Sequence, residues 1–119
     1  MGVDVGTKAP DFTLPSQDRE PVTLSQQVAS GPVVLAFMPG AFSGTCTKEM
    51  CTLKDSATEL SKVSATVLGI TVDTFFALKA WKDQQQLPLT LLSDFNKTVI
   101  RDYGVFNEDM IGLKGIAKR

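Results

Sequence analysis

The chain contains no histidine, and its 119 residues include only two cysteines, one tryptophan and one tyrosine. Without histidine, two cysteines nearly exclude a structural zinc site, which takes about four cysteine or histidine ligands. The net charge is −1 and no basic stripe occurs, which argues against nucleic acid as the main partner. No apolar run approaches the roughly 20 residues that cross a bilayer, and the first residues lack the blocks of a secretory signal. These absences predict one soluble domain over residues 1–119, without a metal, cofactor or membrane partner, and with the cytoplasm as its default location.

What the sequence does contain is an alternation of strand-like and helix-like segments. "VVLAF" at 33–37 and "ATVLGITV" at 65–72 are apolar runs with β-branched residues, typical of strands covered on both faces. Between them, apolar residues recur at helical spacing from about Thr45 to Ser61, which predicts a parallel strand pair with a right-handed crossover. "LTLLS" at 89–93 predicts a third strand. The alternation indicates the α/β class.

Local signals place the shorter elements. "PDFTLPSQDREPVTL" at 10–24 alternates apolar and polar residues around a polar turn, which predicts two short extended pieces. One helix is expected to begin at a cap formed by Asp73 or Thr74. Another is expected to open at Asp94 and to close at Gly104.

Both cysteines lie in "MPGAFSGTCTKEMC" at 38–51, in the loop and helix that follow strand 33–37. Sites in open α/β sheets form at that edge of the sheet. Cys46 falls in the first turn of the predicted helix, where unpaired N–H groups and the helix dipole favour an anion. Such a position favours the thiolate without help from histidine. Composition alone leaves a second interpretation open, in which both cysteines are small buried hydrophobes.

Helix geometry separates the two thiols. Cys46 shares the inward face of the predicted helix, whereas Cys51 lies about 140° around the axis and about 7.5 Å along it. Their Cα atoms would be roughly 8 to 9 Å apart in an intact helix, beyond the limit of about 7 Å for a disulfide. A bond between them would require the start of the helix to unwind. The spacing therefore favours a redox switch over a permanent crosslink.

The segment "PGAFSGTC" at 39–46 fits the pattern P-x-x-x-[TS]-x-x-C and resembles the peroxiredoxin family. Its continuation, "TKEMC", is similar to the peroxiredoxin Q (bacterioferritin comigratory protein) subfamily. Further similar segments are "APDFTL", "VLGITVD", "LLSD", "DYGV" and "GIAKR". The resemblance implies a thioredoxin-like fold, with a mixed sheet flanked by helices, and thiol-dependent reduction of hydroperoxides. A thioredoxin-like protein would be the reductant.

The resemblance also implies roles for individual residues. Cys46 corresponds to the peroxidatic cysteine, and Cys51 to the resolving cysteine of this subfamily. The remaining candidates shield the thiolate, bind it or the peroxide, or wall the pocket: Pro39, Phe42, Ser43, Gly44, Thr45 and Arg119.

Each candidate also has an ordinary structural interpretation. Ser43 could be a helix N-cap, Pro39 part of a turn, Phe42 a core residue and Arg119 a solvated charge. Trp81 is expected in the core, and the adjacent phenylalanines 75 and 76 are expected to pack rather than to contact a ligand. Two alternatives to a peroxidase stay open, namely a redox-sensing or chaperone-like protein of the same fold and an inactive fragment.

Members of the resembled family continue beyond the position of Arg119 with two more strands and a terminal helix. Those strands would lie beside 33–37, so residues 1–119 alone are expected to leave that edge of the sheet bare. A bare apolar edge favours pairing with another chain. We therefore expect residues 1–119 not to be a stable isolated monomer, and expect a homo-oligomer or a second chain to cover the edge.

Overall fold

The computed structural model of the chain describes residues 5–38, 40–41, 66–86, 89–107 and 115–117. Within these ranges it contains seven strands and three helices. In chain order they are β1 (Thr13–Pro15), β2 (Pro21–Thr23), α1 (Leu24–Val28), β3 (Val33–Phe37), β4 (Thr66–Thr71), α2 (Phe75–Gln85), β5 (Thr90–Ser93), α3 (Thr98–Asp102), β6 (Phe106–Asn107) and β7 (Ile116–Ala117). The predicted helix over about 45–61 lies outside the described residues.

The central sheet has the order β3-β4-β5, and both strand pairs are parallel. The three predicted strands and the parallel pairing of the first two are therefore confirmed. On its outer side β3 has no strand neighbour among the described residues, and Val34 is 41% exposed. The expectation that 33–37 is covered on both faces is wrong for Val34, whose side chain points to a face of the sheet and is largely exposed.

A hairpin lies along the opposite edge of the sheet, next to β5. β1 and β2 pair antiparallel, with Leu14 opposite Val22, as the two predicted extended pieces require. The residue after β1, Ser16, forms an antiparallel bridge with Leu92 of β5. Gln17 donates its backbone N–H to the Leu91 carbonyl at 3.0 Å, and its side-chain oxygen accepts the Leu91 N–H at 3.0 Å. The hairpin thus adds an antiparallel element to a parallel sheet, which makes the arrangement mixed.

Two apolar clusters lie on the two faces of this sheet, because successive strand residues point to opposite faces. Leu91 belongs to one cluster and Leu92 to the other. Trp81 of α2 is fully buried in the first cluster, which confirms its predicted place in the core. The first cluster consists of Met38, Leu78, Trp81, Leu89 and Leu91. The second consists of Leu14, Leu24, Leu68, Ile70, Leu92, Val99 and Tyr103.

The observed ends of α2 and α3 confirm two of the predicted helix boundaries and contradict one. Thr74 is the N-cap of α2, with its side chain accepting the Ala77 N–H, as predicted. The start predicted at Asp94 for the last helix is wrong by four residues, because Lys97 adopts a left-handed conformation (φ 63°) and α3 begins at Thr98. Gly104, at φ 71°, closes α3 as predicted.

The end of α3 is fixed in two ways. The Gly104 N–H donates to the Arg101 carbonyl at 3.1 Å and the Val105 N–H to the Ile100 carbonyl at 2.9 Å, the paired bonds of a Schellman motif. The Tyr103 hydroxyl donates to the Pro10 carbonyl at 2.6 Å. Burial raises the pKa of this phenol. Tyr103 therefore ties the last turn of α3 to the segment that precedes β1.

Candidate functional site

The three parallel strands end at one edge of the sheet, since all of them run in the same direction. Ligand-binding and catalytic sites of open α/β sheets form at this edge. After β3 the chain continues into Met38, which is fully buried and donates its N–H to the Ile70 carbonyl at 3.0 Å. Strand-like pairing thus extends one residue beyond β3. The chain that leads to both cysteines therefore leaves the sheet at this carboxyl edge.

Asp73 connects this segment to the neighbouring strand. Its Oδ2 accepts the backbone N–H of Ala41 at 2.6 Å. The backbone of Asp73 is itself held, because its N–H donates to the Thr71 hydroxyl at 3.0 Å and its carbonyl accepts the Ser93 hydroxyl at 2.6 Å. Thr71 is fully buried and Ser93 is 3% exposed. One acidic residue therefore links the chain that follows β3 to the ends of β4 and β5.

A second carboxylate, that of Asp94, organises the end of β5. It is 1% exposed and accepts the N–H groups of Thr98, Val99 and Ile100 at 3.1, 3.2 and 2.8 Å. The Asp94 N–H donates to the Thr71 carbonyl at 2.7 Å. The unpaired N–H groups at the start of α3 are satisfied in this way, although Asp94 is not the first residue before the helix. Its oxygens are occupied by the protein backbone, so this carboxylate is structural.

A cavity of about 400 Å³ opens between β1, the start of α2 and the turn before α3. Three phenylalanines line it, and two of them are largely exposed, Phe76 at 68% and Phe95 at 58%. The Phe75 and Phe76 rings meet edge to face with centroids 4.6 Å apart. The Ser93 and Asp94 side chains in its wall bond to the protein backbone. The cavity therefore offers ring surface for apolar contact rather than acid–base chemistry.

Phe76 packs on Phe75 but is not a core residue, and the expectation that the two rings pack rather than contact a ligand stays a prediction. At about 100° per residue, Phe76 lies about 160° from Leu78 and about 140° from Trp81, the two buried residues of α2. That angular position was readable from the sequence. Phe95 carried no comparable signal, because it lies in a turn whose shape depends on the left-handed Lys97.

All eight residues that the resemblance assigns to the site lie outside the described residues. Their roles stay predictions, as does the separation of the two thiols. They are Pro39, Phe42, Ser43, Gly44, Thr45, Cys46, Cys51 and Arg119. What the structure describes is the chain just before them, namely the end of β3, the Met38 strand extension and the link from Ala41 to Asp73.

Two further findings concern other classes of site. Within the described ranges, no group of three or more histidine, cysteine, aspartate or glutamate side chains could hold a metal ion. Of the helices that the structure describes, none has the length and apolarity required to cross a bilayer.

Comparison with known proteins assigns the chain to a family. Residues 5–119 match the AhpC/TSA family. The chain belongs to that family. This AhpC/TSA chain is 42% identical over 105 residues to a Coxiella burnetii protein named as a peroxiredoxin of the bcp type, covering 88% of the chain and 69% of that protein. It is 41% identical over 113 residues to the chloroplastic peroxiredoxin Q of Suaeda salsa.

The same assignment follows from a solved structure. The AhpC/TSA chain superposes on the crystal structure of the peroxidoxin BcpB of Mycobacterium tuberculosis with a TM-score of 0.88 and 36% identity, covering 96% of this chain and 73% of that one. The chain spans about half, 52%, of the length of the Suaeda salsa relative, although the match covers 95% of the chain. These findings confirm the predicted peroxiredoxin family, its Q-type (bcp) relatives and the mixed α/β thioredoxin-like fold.

Proposed function

We propose that this chain is a thiol-dependent peroxidase that reduces hydrogen peroxide and organic hydroperoxides. The observation that carries the proposal is the motif P-x-x-x-[TS]-x-x-C at 39–46 in a chain of the AhpC/TSA family. The fold supports it, because β3 and Met38 bring the chain to the carboxyl edge of the sheet immediately before this motif. A thiolate at the start of a helix at that edge has the electrostatic environment that the reaction needs.

The proposed reaction has three steps. The Cys46 thiolate attacks one oxygen of the O–O bond, so that an S–O bond forms, the O–O bond breaks and the departing oxygen leaves as water or an alcohol after taking up a proton. Cys46 is then a sulfenic acid, and the Cys51 thiol attacks its sulfur to give a disulfide and release water. A thioredoxin-like dithiol reduces that disulfide and restores both thiols. We place the reaction in the cytoplasm, where such dithiols keep protein thiols reduced.

The other candidate residues would stabilise the charge that develops on the peroxide and would exclude water from the pocket. Negative charge develops on the departing oxygen, and donors aimed at that position stabilise it. In our proposal these donors are the Arg119 guanidinium and the backbone N–H groups of Gly44, Thr45 and Cys46. The Ser43 hydroxyl would bind the thiolate and the peroxide. Pro39 and Phe42 would wall the pocket against water.

Mass spectrometry of the thiols after one equivalent of peroxide tests the assignment. We expect Cys46→Ser to abolish the reaction, since only Cys46 supplies the attacking thiolate. We expect Cys51→Ser to complete its first turnover and to accumulate a sulfenic acid at Cys46. A Cys51→Ser variant that turns over like the wild type with a thioredoxin system would contradict the resolving role.

Steady-state turnover separates the peroxidase from the two alternatives. A redox sensor or chaperone-like protein would be oxidised once by peroxide without sustained consumption in the presence of a thioredoxin system. An inactive fragment would show no oxidation of Cys46 beyond that of a free thiol. Sustained, thioredoxin-dependent consumption of peroxide is the expected result.

A further inference from the structure

We infer that Asp73 is a positioning residue for the proposed peroxidase reaction, because it holds Ala41, five residues before Cys46. The inference rests on the proposed function and concerns a residue that does not itself touch the peroxide. Its basis is the 2.6 Å hydrogen bond from the Ala41 N–H to Asp73 Oδ2. The two residues are 32 positions apart, so this bond joins two separate elements of the fold.

The bond lies at the point where the strand ladder stops. Met38 still pairs with Ile70 of β4 through its N–H, at 3.0 Å. Three residues later the side chain of Asp73 takes over the role of acceptor for Ala41. A Cβ atom placed on Gly40 would be 4.0 Å from Asp73 Oδ2, which shows that Asp73 lies against the backbone of this segment. The segment is therefore attached at two successive points, to Ile70 of β4 and to Asp73 just after that strand.

Asp73 can fix this segment because it is itself fixed. Its N–H bonds to the hydroxyl of the fully buried Thr71, and its carbonyl accepts the hydroxyl of Ser93. Both partners end strands of the central sheet. The carboxylate is consequently held by β4 and β5 and transfers their position to the chain that follows β3.

Ala41 precedes Cys46 by five residues, so a shift at Ala41 displaces the start of the cysteine-bearing segment. Reactions that depend on aligned donors respond strongly to such shifts, and a displacement of about 1 Å can cost roughly 100-fold in rate. The contact seen at Ala41 is a hydrogen bond from a backbone N–H, which needs an acceptor oxygen and no particular charge. The role we infer is therefore that of a hydrogen-bond acceptor, which an asparagine can also fill.

Three variants test this in a Cys51→Ser background, where Cys46 is the only thiol. Asp73→Ala removes the acceptor, Asp73→Asn keeps an oxygen in its place, and Asp83→Asn alters an exposed acid of α2 as the matched control. Quench-flow mass spectrometry gives the rate of Cys46 oxidation by peroxide. Alkylation by iodoacetamide, which needs no aligned donors, gives the general reactivity of the same thiol. Amide hydrogen exchange at Ala41 reports the bond itself.

We expect Asp73→Ala to slow oxidation at least roughly tenfold, to change alkylation less than roughly threefold and to speed exchange at Ala41. Asp73→Asn should restore most of the oxidation rate, and Asp83→Asn should match the background. Equal losses in oxidation and alkylation, or an Asp73→Asn variant as slow as Asp73→Ala, would overturn the inference. Should Asp73→Ala not fold, Asp73→Ser provides the same comparison with a side chain too short to reach Ala41.

The outcome also separates this inference from the proposed function. A parent protein whose Cys46 does not react with peroxide would refute the peroxidase. An active parent whose oxidation rate is indifferent to Asp73→Ala would refute only the positioning role.

Discussion

Replacing Asp94 should destabilise the protein more than replacing any exposed acidic residue does. The reason is that the Asp94 carboxylate accepts the N–H groups of the first turn of α3. One oxygen accepts the N–H groups of Thr98 and Val99, at 3.1 and 3.2 Å, and the other accepts that of Ile100 at 2.8 Å. Val99 and Ile100 are 3% and 0% exposed, so water does not readily replace the carboxylate. The perturbation therefore leaves buried donors without an acceptor.

The magnitude follows from the number of donors left unpaired. In Asp94→Asn the new amide NH₂ faces either Ile100 or the other two N–H groups, so at least one buried donor loses its partner. Such a loss costs about 1–3 kcal/mol, and the weaker neutral bonds that remain add to it. We expect about 2–3 kcal/mol for Asp94→Asn and about 4 kcal/mol for Asp94→Ala. Both are large against the roughly 5–15 kcal/mol that stabilises a small domain.

Urea denaturation followed by circular dichroism measures these losses. With a slope of about 1–3 kcal/mol per molar urea, Asp94→Asn should lower the midpoint by roughly 1 M or more. Asp102→Asn, at the exposed last residue of α3, is the matched control and should leave the midpoint nearly unchanged. Exchange of the Ile100 amide should accelerate in the Asp94 variants. A midpoint for Asp94→Asn within the error of the wild type, or an equal loss in Asp102→Asn, would refute the reasoning.

Three other substitutions test separate parts of the fold. A Cβ on Gly69 would lie 2.8 Å from Leu91 Cδ2 and 3.1 Å from Met38 Cε, so Gly69→Ala should cost about 1–3 kcal/mol in urea unfolding, and an unchanged midpoint would mean that these side chains yield freely. Burial raises the pKa of Tyr103 above its ordinary value of 10.0, so its contribution is complete below about pH 10 and is lost as the pH rises through the folded-state pKa. The unfolding free energy should consequently fall less at alkaline pH in Tyr103→Phe than in the wild type, and equal pH slopes would contradict this. Finally, residues 1–119 should associate in sedimentation experiments and Val34→Lys should weaken that association, whereas a stable wild-type monomer would show that the edge of β3 needs no cover.

The strands of the central sheet were predictable because each is a compact run of β-branched and apolar residues between polar or glycine boundaries. The Thr74 cap and the Gly104 stop were predictable for a similar reason, since both depend on local hydrogen bonding and on the conformational freedom of one residue. The start of α3 was not, because Asp94 acts across a turn that only the left-handed Lys97 makes possible. Local residue preferences do not report such a turn.

For the site, the motif around Cys46 identified the family from the sequence, and the family comparison confirmed it. The link between Ala41 and Asp73 had no sequence signal, since a bond between residues 32 positions apart requires the strand register to be known first. The aromatic cavity was missed for a different reason. The residue type of Phe76 predicts packing, whereas its angular position on α2 places it opposite the buried residues.

Gln17 covers the outer edge of β5 at Leu91. The backbone and side chain of Gln17 bond to the outward N–H and carbonyl groups of Leu91, so another strand cannot pair with β5 at that residue. At the other end of the strand order, β3 lies at an edge of the described sheet. Two copies that join through the same edge are related by a twofold axis, and each then occupies the surface that the other presents. Pairing of copies through β3 alone would therefore close at two, because a fibre needs two different open edges on every subunit. Without the Gln17 side chain the Leu91 N–H would lose its acceptor, whereas the backbone bond from Gln17 to the Leu91 carbonyl would still cover this edge.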